Sequence, residues 1–217
     1  MLLGIIYDFY GKKIHGFSDL IIAGSLVFAF FFGASTVTIS FTNVVYIVGL
    51  LIFVAIVFVN VVEGGGLKDV DHDSLNGGKT LATVLGVKVE DGQLMITKKF
   101  SALACSLIAV CFVLLLLLFM QPELNVFTDN NIQFPLLLLL LVLLLFMLNK
   151  FLHLRVFDRS KIKRFYAVIN PLAGIVLFVA IFPLIGLDAL VVLLALPVTW
   201  YIVFNTLLYG KPLQPDV

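Results

Sequence analysis

Long apolar runs, separated by short polar stretches, make up most of this chain. A membrane-spanning helix needs about 20 consecutive apolar residues, and six runs are long enough to supply one. They cover roughly 18–40, 43–63, 101–120, 133–152, 166–184 and 187–208. The linker at 185–188 is short, so the last two helices are predicted to form a hairpin. The pattern predicts an all-α, polytopic membrane protein in which residues 1–217 form a single transmembrane domain.

The composition strengthens this prediction. The 217 residues are 62% hydrophobic and only 12% charged, whereas about 25% of residues are charged in an ordinary soluble domain. A soluble fold of this size cannot bury so much apolar surface, but a bilayer accommodates it. The net charge is +1 and no basic run is interleaved with aromatics, so nucleic acid is not a predicted partner. Cys105 and Cys111 share one apolar run, which predicts buried small hydrophobic residues rather than a disulfide or metal site.

The charged residues predict how the spans are oriented. Of the 14 lysines and arginines, 13 lie before the first span, between spans two and three, between spans four and five, or after span six, and Lys150 lies at the end of span four that adjoins the loop to span five. The alternate loops contain only the acidic residues Glu123, Asp129 and Asp188. Loops rich in Lys and Arg remain in the cytoplasm. We therefore expect a multi-pass protein of the cell membrane, with the polar loop 64–100 and the C-terminus in the cytoplasm.

The polar loop 64–100 contains the side chains that are able to bind a ligand or take part in a reaction. It opens on three glycines, Gly64 to Gly66, which are expected to end or bend the preceding helix. Asp69 and Asp73 are four residues apart, so on a helix they share one face. Two such carboxylates repel each other unless a cation lies between them, and Mg²⁺ typically binds one or two carboxylates together with phosphate oxygens. On a regular helix Asp71 points away from this pair.

Less specific interpretations of the same segment also exist. Carboxylates clustered in a cytoplasmic loop are often simply solvated, and that alternative stays open here. The segment is not an EF-hand, because Ser74 stands where the turn glycine is required and Thr80 where the bidentate glutamate is required.

Two motifs resemble those of a known family. The pattern Asp-x-x-x-Asp-x-x-x-Gly-x-x-Thr-Leu-Ala-x-x-x-Gly is formed by Asp69, Asp73, Gly77, Thr80, Leu81, Ala82 and Gly86. It resembles the second aspartate-rich motif of the UbiA superfamily of intramembrane prenyltransferases. The stretch from Tyr7 to Lys12 resembles the family's Tyr-x-x-x-x-Lys loop, which also lies two helices before that motif.

The resemblance implies an enzyme with a nominally nine-helix bundle around a central cavity. Asp69 and Asp73 would be catalytic and hold Mg²⁺ on an isoprenyl diphosphate. The side chains that would bind the diphosphate are Tyr7, Lys12, Lys68 and Lys79. The implied reaction transfers the isoprenyl group to a lipid or aromatic acceptor. The acceptor is either geranylgeranylglyceryl phosphate, as in the archaeal branch, or a quinone precursor, as in the menaquinone branch.

The sequence departs from the family pattern in one major respect. The family's first motif, Asn-Asp-x-x-Asp-x-x-x-Asp, does not occur among the 68 residues before Asp69. We therefore expect a chain that corresponds to the C-terminal two-thirds of the family fold. It would be inactive alone and depend on the missing N-terminal helices, or on a separate chain that supplies them. The alternative is a non-catalytic membrane protein, lipid-binding or transporter-like, that retains a relic motif. The Asp-Gly-x-x-Ala-Arg core of the CDP-alcohol phosphotransferases is missing.

Overall fold

Helices account for about 82% of the structure, a computed structural model that describes residues 18–37, 40–75, 80–124 and 132–210. The α-helices are α1 (Ser18–Ser35), α2 (Asn43–Phe58), α3 (Val70–Leu75), α4 (Leu81–Val84), α5 (Lys98–Phe119), α6 (Gln133–Leu152) and α7 (Arg159–Tyr209). The other elements are a π-helix (Val59–Lys68) that directly continues α2, a 3₁₀ turn (Pro122–Leu124), and strands β1 (Lys88–Glu90) and β2 (Gln93–Met95). The chain forms two compact units, Met1–Leu118 with Leu152–Ile162 and Phe119–Phe151 with Lys163–Val217.

Four helices in the described ranges are long and apolar enough to cross a membrane. They are Asn43–Lys68, Lys98–Phe119, Gln133–Leu152 and Arg159–Phe204. The class of helical, membrane-embedded protein therefore agrees with the prediction, but the count of six spans is not reproduced. The first predicted span yields a shorter apolar helix that ends at Ser35. The runs 166–184 and 187–208 both belong to α7.

Helix α7 has one interruption, and it falls within the linker predicted at 185–188. Gly186 adopts a φ of 73° and a ψ of 172°, a conformation that is open to glycine but strained for other residues. Beyond Gly186 many apolar side chains are exposed, including Leu187 at 64% and Trp200 at 63%. A face this apolar is suited to contact with lipid rather than with water.

The packing of α1 on α2 depends on aromatic rings and on one glycine. The ring of Phe31 lies 5.6 Å from that of Phe41 and 6.0 Å from that of Tyr46. A Cβ atom on Gly49 would lie 2.6 Å from Cζ of Phe31. Gly49 is therefore the residue that lets the Phe31 ring contact the α2 backbone.

The glycine run does not end the second apolar helix at residue 63, contrary to one of the two expected outcomes. The helix widens at Val59 and continues as a π-helix to Lys68. A Cβ atom on Gly66 would overlap the carbonyl oxygen of Val61. The wider turn brings these backbone groups so close that no side chain fits at position 66. Here glycine permits an unusual helix, and π-helical turns of this kind are often found at functional sites.

A small β-hairpin lies in the polar loop 64–100, where no strand was predicted. Strands β1 and β2 are antiparallel, with Val89 opposite Leu94. Asp91 and Gly92 form the turn with φ angles of 49° and 73°, the conformation that two-residue hairpins favour. An Asp-Gly pair between alternating apolar residues is a known hairpin signal, so this element could have been found from the sequence.

The two cysteines of α5 are free thiols, and only one of them is shielded. Cys111 is half-buried, whereas Cys105 is exposed. The prediction that both are buried is therefore wrong for Cys105. A thiol is a small, weakly polar group, so its exposure on a helix apolar enough to cross a membrane is physically consistent.

Candidate functional site

The predicted pair of aspartates lies where the π-helix gives way to α3. Asp69 occupies the junction, with a non-helical φ of −110° and ψ of 8°. The backbone N–H of Asp73 donates to the carbonyl oxygen of Asp69 over 2.9 Å. This bond spans four residues, so the prediction that the two residues lie one helical turn apart is confirmed. Both residues are half-buried.

Burial and neighbouring charges both act on the Asp73 carboxyl. Burial raises the pKa of the Asp73 carboxyl above its ordinary value, and the neighbouring charge of Asp69 raises it further. A hydrogen bond from the Thr80 side chain acts in the opposite direction and lowers the pKa, because it stabilises the carboxylate. Asp71 adds a smaller repulsive contribution, and His72 a smaller attractive one. A bound cation would counter both effects, because it stabilises the ionised form of the Asp73 carboxyl.

Lys68 is the one predicted diphosphate ligand within the described residues. Its Nζ atom lies 3.4 Å from Oδ2 of Asp69, and both side chains are partly exposed. The ammonium group therefore lies beside the Asp69 carboxylate. Tyr7, Lys12 and Lys79 lie outside the described residues.

The second half of the motif, Thr80 to Gly86, has a structural explanation in this chain. Thr80 is the N-cap of α4, and its Oγ1 accepts from the N–H of Thr83 over 3.5 Å. At the other end Gly86 has a φ of 85°. The N–H of Gly86 donates to the Thr83 carbonyl over 3.0 Å, and that of Val87 donates to the Ala82 carbonyl over 2.9 Å. This is a Schellman C-cap, which requires the left-handed conformation that glycine adopts most easily. Gly77 lies outside the described residues.

Arg159 is part of this site, although it was not among the predicted site residues. Its Nη2 donates to Oδ1 of Asp71 over 2.7 Å, and its Nε donates to the carbonyl oxygen of Lys68 over 3.2 Å. Asp71, which was predicted to point away from the other two carboxylates, forms this ion pair. Arg159 and Asp71 are 88 residues apart, and no local pattern links them.

The described residues fit one mode of magnesium binding. The parts of the chain that the structure describes contain no group of three or more His, Cys, Asp or Glu side chains that could hold a metal ion. A cage built wholly from these protein groups is therefore not formed there. Mg²⁺, however, commonly binds to one or two carboxylates and completes its shell with water and phosphate oxygens. Asp69 and Asp73 provide that number of carboxylates.

Comparison with known proteins adds no relative. No family model matches the chain, and no curated protein or solved structure matches it either. The resemblance to the UbiA superfamily rests on the residues of the two motifs quoted above.

Proposed function

We propose that this chain is a UbiA-type prenyltransferase domain, which uses Mg²⁺ to transfer an isoprenyl group from its diphosphate to a lipid or aromatic acceptor. The main support is the pair Asp69 and Asp73. These residues are one turn apart and mutually repulsive, and they follow directly on the 26-residue apolar helix Asn43–Lys68. Paired carboxylates at the polar end of an apolar helix suit a substrate with a charged head and a long hydrocarbon tail.

The residues of the site have distinct roles in this proposal. Asp69 and Asp73 hold Mg²⁺, which when bound neutralises charge on the diphosphate leaving group. The Lys68 ammonium, next to Asp69, binds a diphosphate oxygen as a point charge. Lys12, Lys79 and Tyr7 are proposed as further diphosphate ligands on the basis of the motif resemblance. Apolar side chains next to the site contact the isoprenyl chain and exclude water from the carbocation that forms when the diphosphate leaves.

The six-span topology is part of the same proposal. Helix Arg159–Phe204 has 46 residues, and at 1.5 Å per residue it would extend roughly 70 Å if straight. The hydrocarbon core of a bilayer is only about 30 Å thick. Two crossings that meet at Gly186 fit this length better than one. The confinement of Lys and Arg to alternate loops supports a cytoplasmic position for the site.

Binding of geranylgeranyl diphosphate to the purified chain in lipid nanodiscs tests this function. We measure binding rather than turnover because the family's first aspartate motif does not occur in this sequence. Binding is expected to require Mg²⁺, and Asp73→Asn should weaken it at least about 100-fold, since it removes a metal ligand. The matched control is Asp188→Asn, an exposed aspartate in α7, which should bind as wild type does.

Two results would contradict the proposal. One is binding that persists in EDTA or that Asp69→Asn and Asp73→Asn leave unchanged. The other is equal affinity for geranylgeraniol, which carries the same hydrocarbon chain without the diphosphate. Equal affinity would favour the non-catalytic, lipid-binding alternative, because recognition would then depend on the hydrocarbon chain alone.

A further inference from the structure

Arg159 forms hydrogen bonds with residues on both sides of Asp69. Its Nε donates to the carbonyl oxygen of Lys68, the residue before Asp69, over 3.2 Å. Its Nη2 donates to the carboxylate of Asp71, two residues after Asp69, over 2.7 Å. The exposed fractions of the Arg159 and Asp71 side chains are 34% and 30%. A charge-assisted pair that is half-shielded from water is stronger than a fully exposed one.

The position of Arg159 is itself fixed by backbone hydrogen bonds. The N–H of Leu94 donates to the carbonyl of Arg155 over 2.7 Å, and the N–H of Phe157 donates to that of Gly92 over 3.0 Å. These two bonds attach residues 155–157 to the β-hairpin. Asp158 then caps α7, since its Oδ1 accepts from the N–H of Lys161 over 3.0 Å. Arg159, the first residue of α7, is therefore presented from an ordered segment, which reduces the entropy lost when it binds its two acceptors.

The junction at Asp69, between the π-helix and α3, needs stabilising contacts from another part of the chain. Asp69 has a non-helical backbone, so the regular helical conformation is interrupted between the π-helix and α3. Helix α3 has only six residues, and a helix this short is unstable by itself in water. Three aspartates within five residues also repel one another. A guanidinium that binds Asp71 and the Lys68 carbonyl opposes both the loss of helical order and the repulsion.

We propose that Arg159 is a positioning residue that holds the Asp69–Asp73 pair in its one-turn arrangement; for metal binding, this role rests on the function proposed above. It acts through the Lys68 carbonyl and the Asp71 carboxylate. Its two hydrogen bonds set the direction in which α3 leaves the π-helix. They thereby set the geometry that the two carboxylates present to a divalent cation.

Two measurements on the full chain in nanodiscs test this role. The first is Mn²⁺ affinity by electron paramagnetic resonance, with Mn²⁺ as the probe. The second is hydrogen–deuterium exchange of amides 70–75 without metal. Arg159→Ala should weaken Mn²⁺ binding about tenfold or more, as loss of a residue that orients metal ligands does, and should speed exchange. Arg159→Lys should be intermediate, because lysine keeps the charge but lacks the planar two-point donor.

Two further variants make the test specific. Arg155→Ala is the matched control, since Arg155 is exposed and its bond to Leu94 uses only the backbone carbonyl. It should resemble wild type in both measurements. Asp71→Asn keeps the side-chain shape but removes the charge, and it should also weaken Mn²⁺ binding. It provides a milder second variant if Arg159→Ala fails to fold.

The outcomes separate this inference from the proposed function. Mn²⁺ affinity and exchange that stay at wild-type values in Arg159→Ala would overturn the positioning role. A wild-type chain that binds no Mn²⁺, or Asp69→Asn and Asp73→Asn variants that bind it normally, would instead contradict the proposed function. In that case the exchange measurement decides alone: faster exchange in Arg159→Ala supports the positioning role, and unchanged exchange rejects it.

Discussion

The two units of the chain place polar side chains in contrasting environments. In the first, charged side chains at the aspartate site are partly exposed and bind one another, as Arg159 binds Asp71 over 2.7 Å. In the second, Gln133 is only 5% exposed, and its Nε2 donates to the Val179 carbonyl over 2.8 Å. The first arrangement keeps charged groups accessible to a ligand. The second buries a neutral amide that donates to a backbone carbonyl. Solvent accessibility therefore distinguishes the candidate ligand-binding side chains from a side chain with a structural role.

The role of Gln133 follows from a proline in α7. In a regular helix the Val179 carbonyl would accept from the N–H of residue 183, but that residue is Pro183, which has no N–H. The amide of Gln133, at the start of α6, supplies the missing donor. An apolar environment makes this replacement important, since an unsatisfied carbonyl there finds no water.

The largest expected effect comes from the π-helix that leads to the aspartate site. Gly66→Ala places a Cβ atom where it would overlap the Val61 carbonyl oxygen, so the backbone must move. We expect a loss of about 3 kcal/mol in the free energy of unfolding, the upper end of overpacking costs. Unfolding in mixed detergent micelles measures it.

The matched control for this substitution is a helical glycine in open space. A Cβ atom on Gly174 in α7 would meet no atom within 4 Å, so Gly174→Ala should stabilise the chain by about 0.5 kcal/mol through reduced freedom of the unfolded state. If Gly66→Ala is as stable as wild type, the π-helical turn is not required and the aspartate site does not depend on it.

A smaller effect is expected in α7, where Gln133 replaces the hydrogen-bond donor that Pro183 lacks. Gln133→Leu preserves apolar bulk but leaves the Val179 carbonyl without this donor, which should cost about 1–2 kcal/mol. In a Pro183→Ala background the new N–H of residue 183 can bind Val179, so the same substitution should cost much less. Unfolding of the four proteins in this double-mutant cycle measures the coupling. Equal costs in both backgrounds would mean that Gln133 does not compensate for the proline.

The sequence predicted those parts of the molecule that depend on local signals. The apolar runs 101–120 and 133–152 correspond closely to α5 and α6, because a long apolar stretch is recognisable without knowledge of its neighbours. The spacing of Asp69 and Asp73 predicted their one-turn separation for the same reason. The turn at Asp91 and Gly92 depends on an equally local signal, so the hairpin was predictable from the sequence although it was not predicted.

Contacts between distant segments could not be predicted in this way. Arg159 reaches Asp71 across 88 residues, and Gln133 reaches Val179 across 46. Neither pair has a periodic pattern, and each forms only because the backbone brings two segments together. The π-helix is similar, since the glycine run indicated an unusual backbone without specifying that the helix would continue.

The smallest expected effect concerns the charge on Asp73 in the absence of metal. Burial and the charge of Asp69 raise the pKa of this carboxyl above its ordinary value of 3.8. The folded chain therefore binds the proton more tightly than the unfolded chain does. The stability from this group is fully present below pH 3.8 and is lost as pH rises through the raised pKa. At neutral pH in EDTA, Asp73→Asn should slightly stabilise the chain, and the exposed control Asp188→Asn should not.

Added Mg²⁺ should reverse this order, because the cation stabilises the wild-type carboxylates and gains little from the amide. Thermal unfolding with EDTA and with Mg²⁺ measures both effects. A metal-free Asp73→Asn chain that is less stable than wild type at neutral pH would show that the carboxylate supports the fold, as Gln133 does. Stabilisation without metal, together with its reversal by Mg²⁺, would instead show that this charge is retained at a cost to stability because a cation binds there.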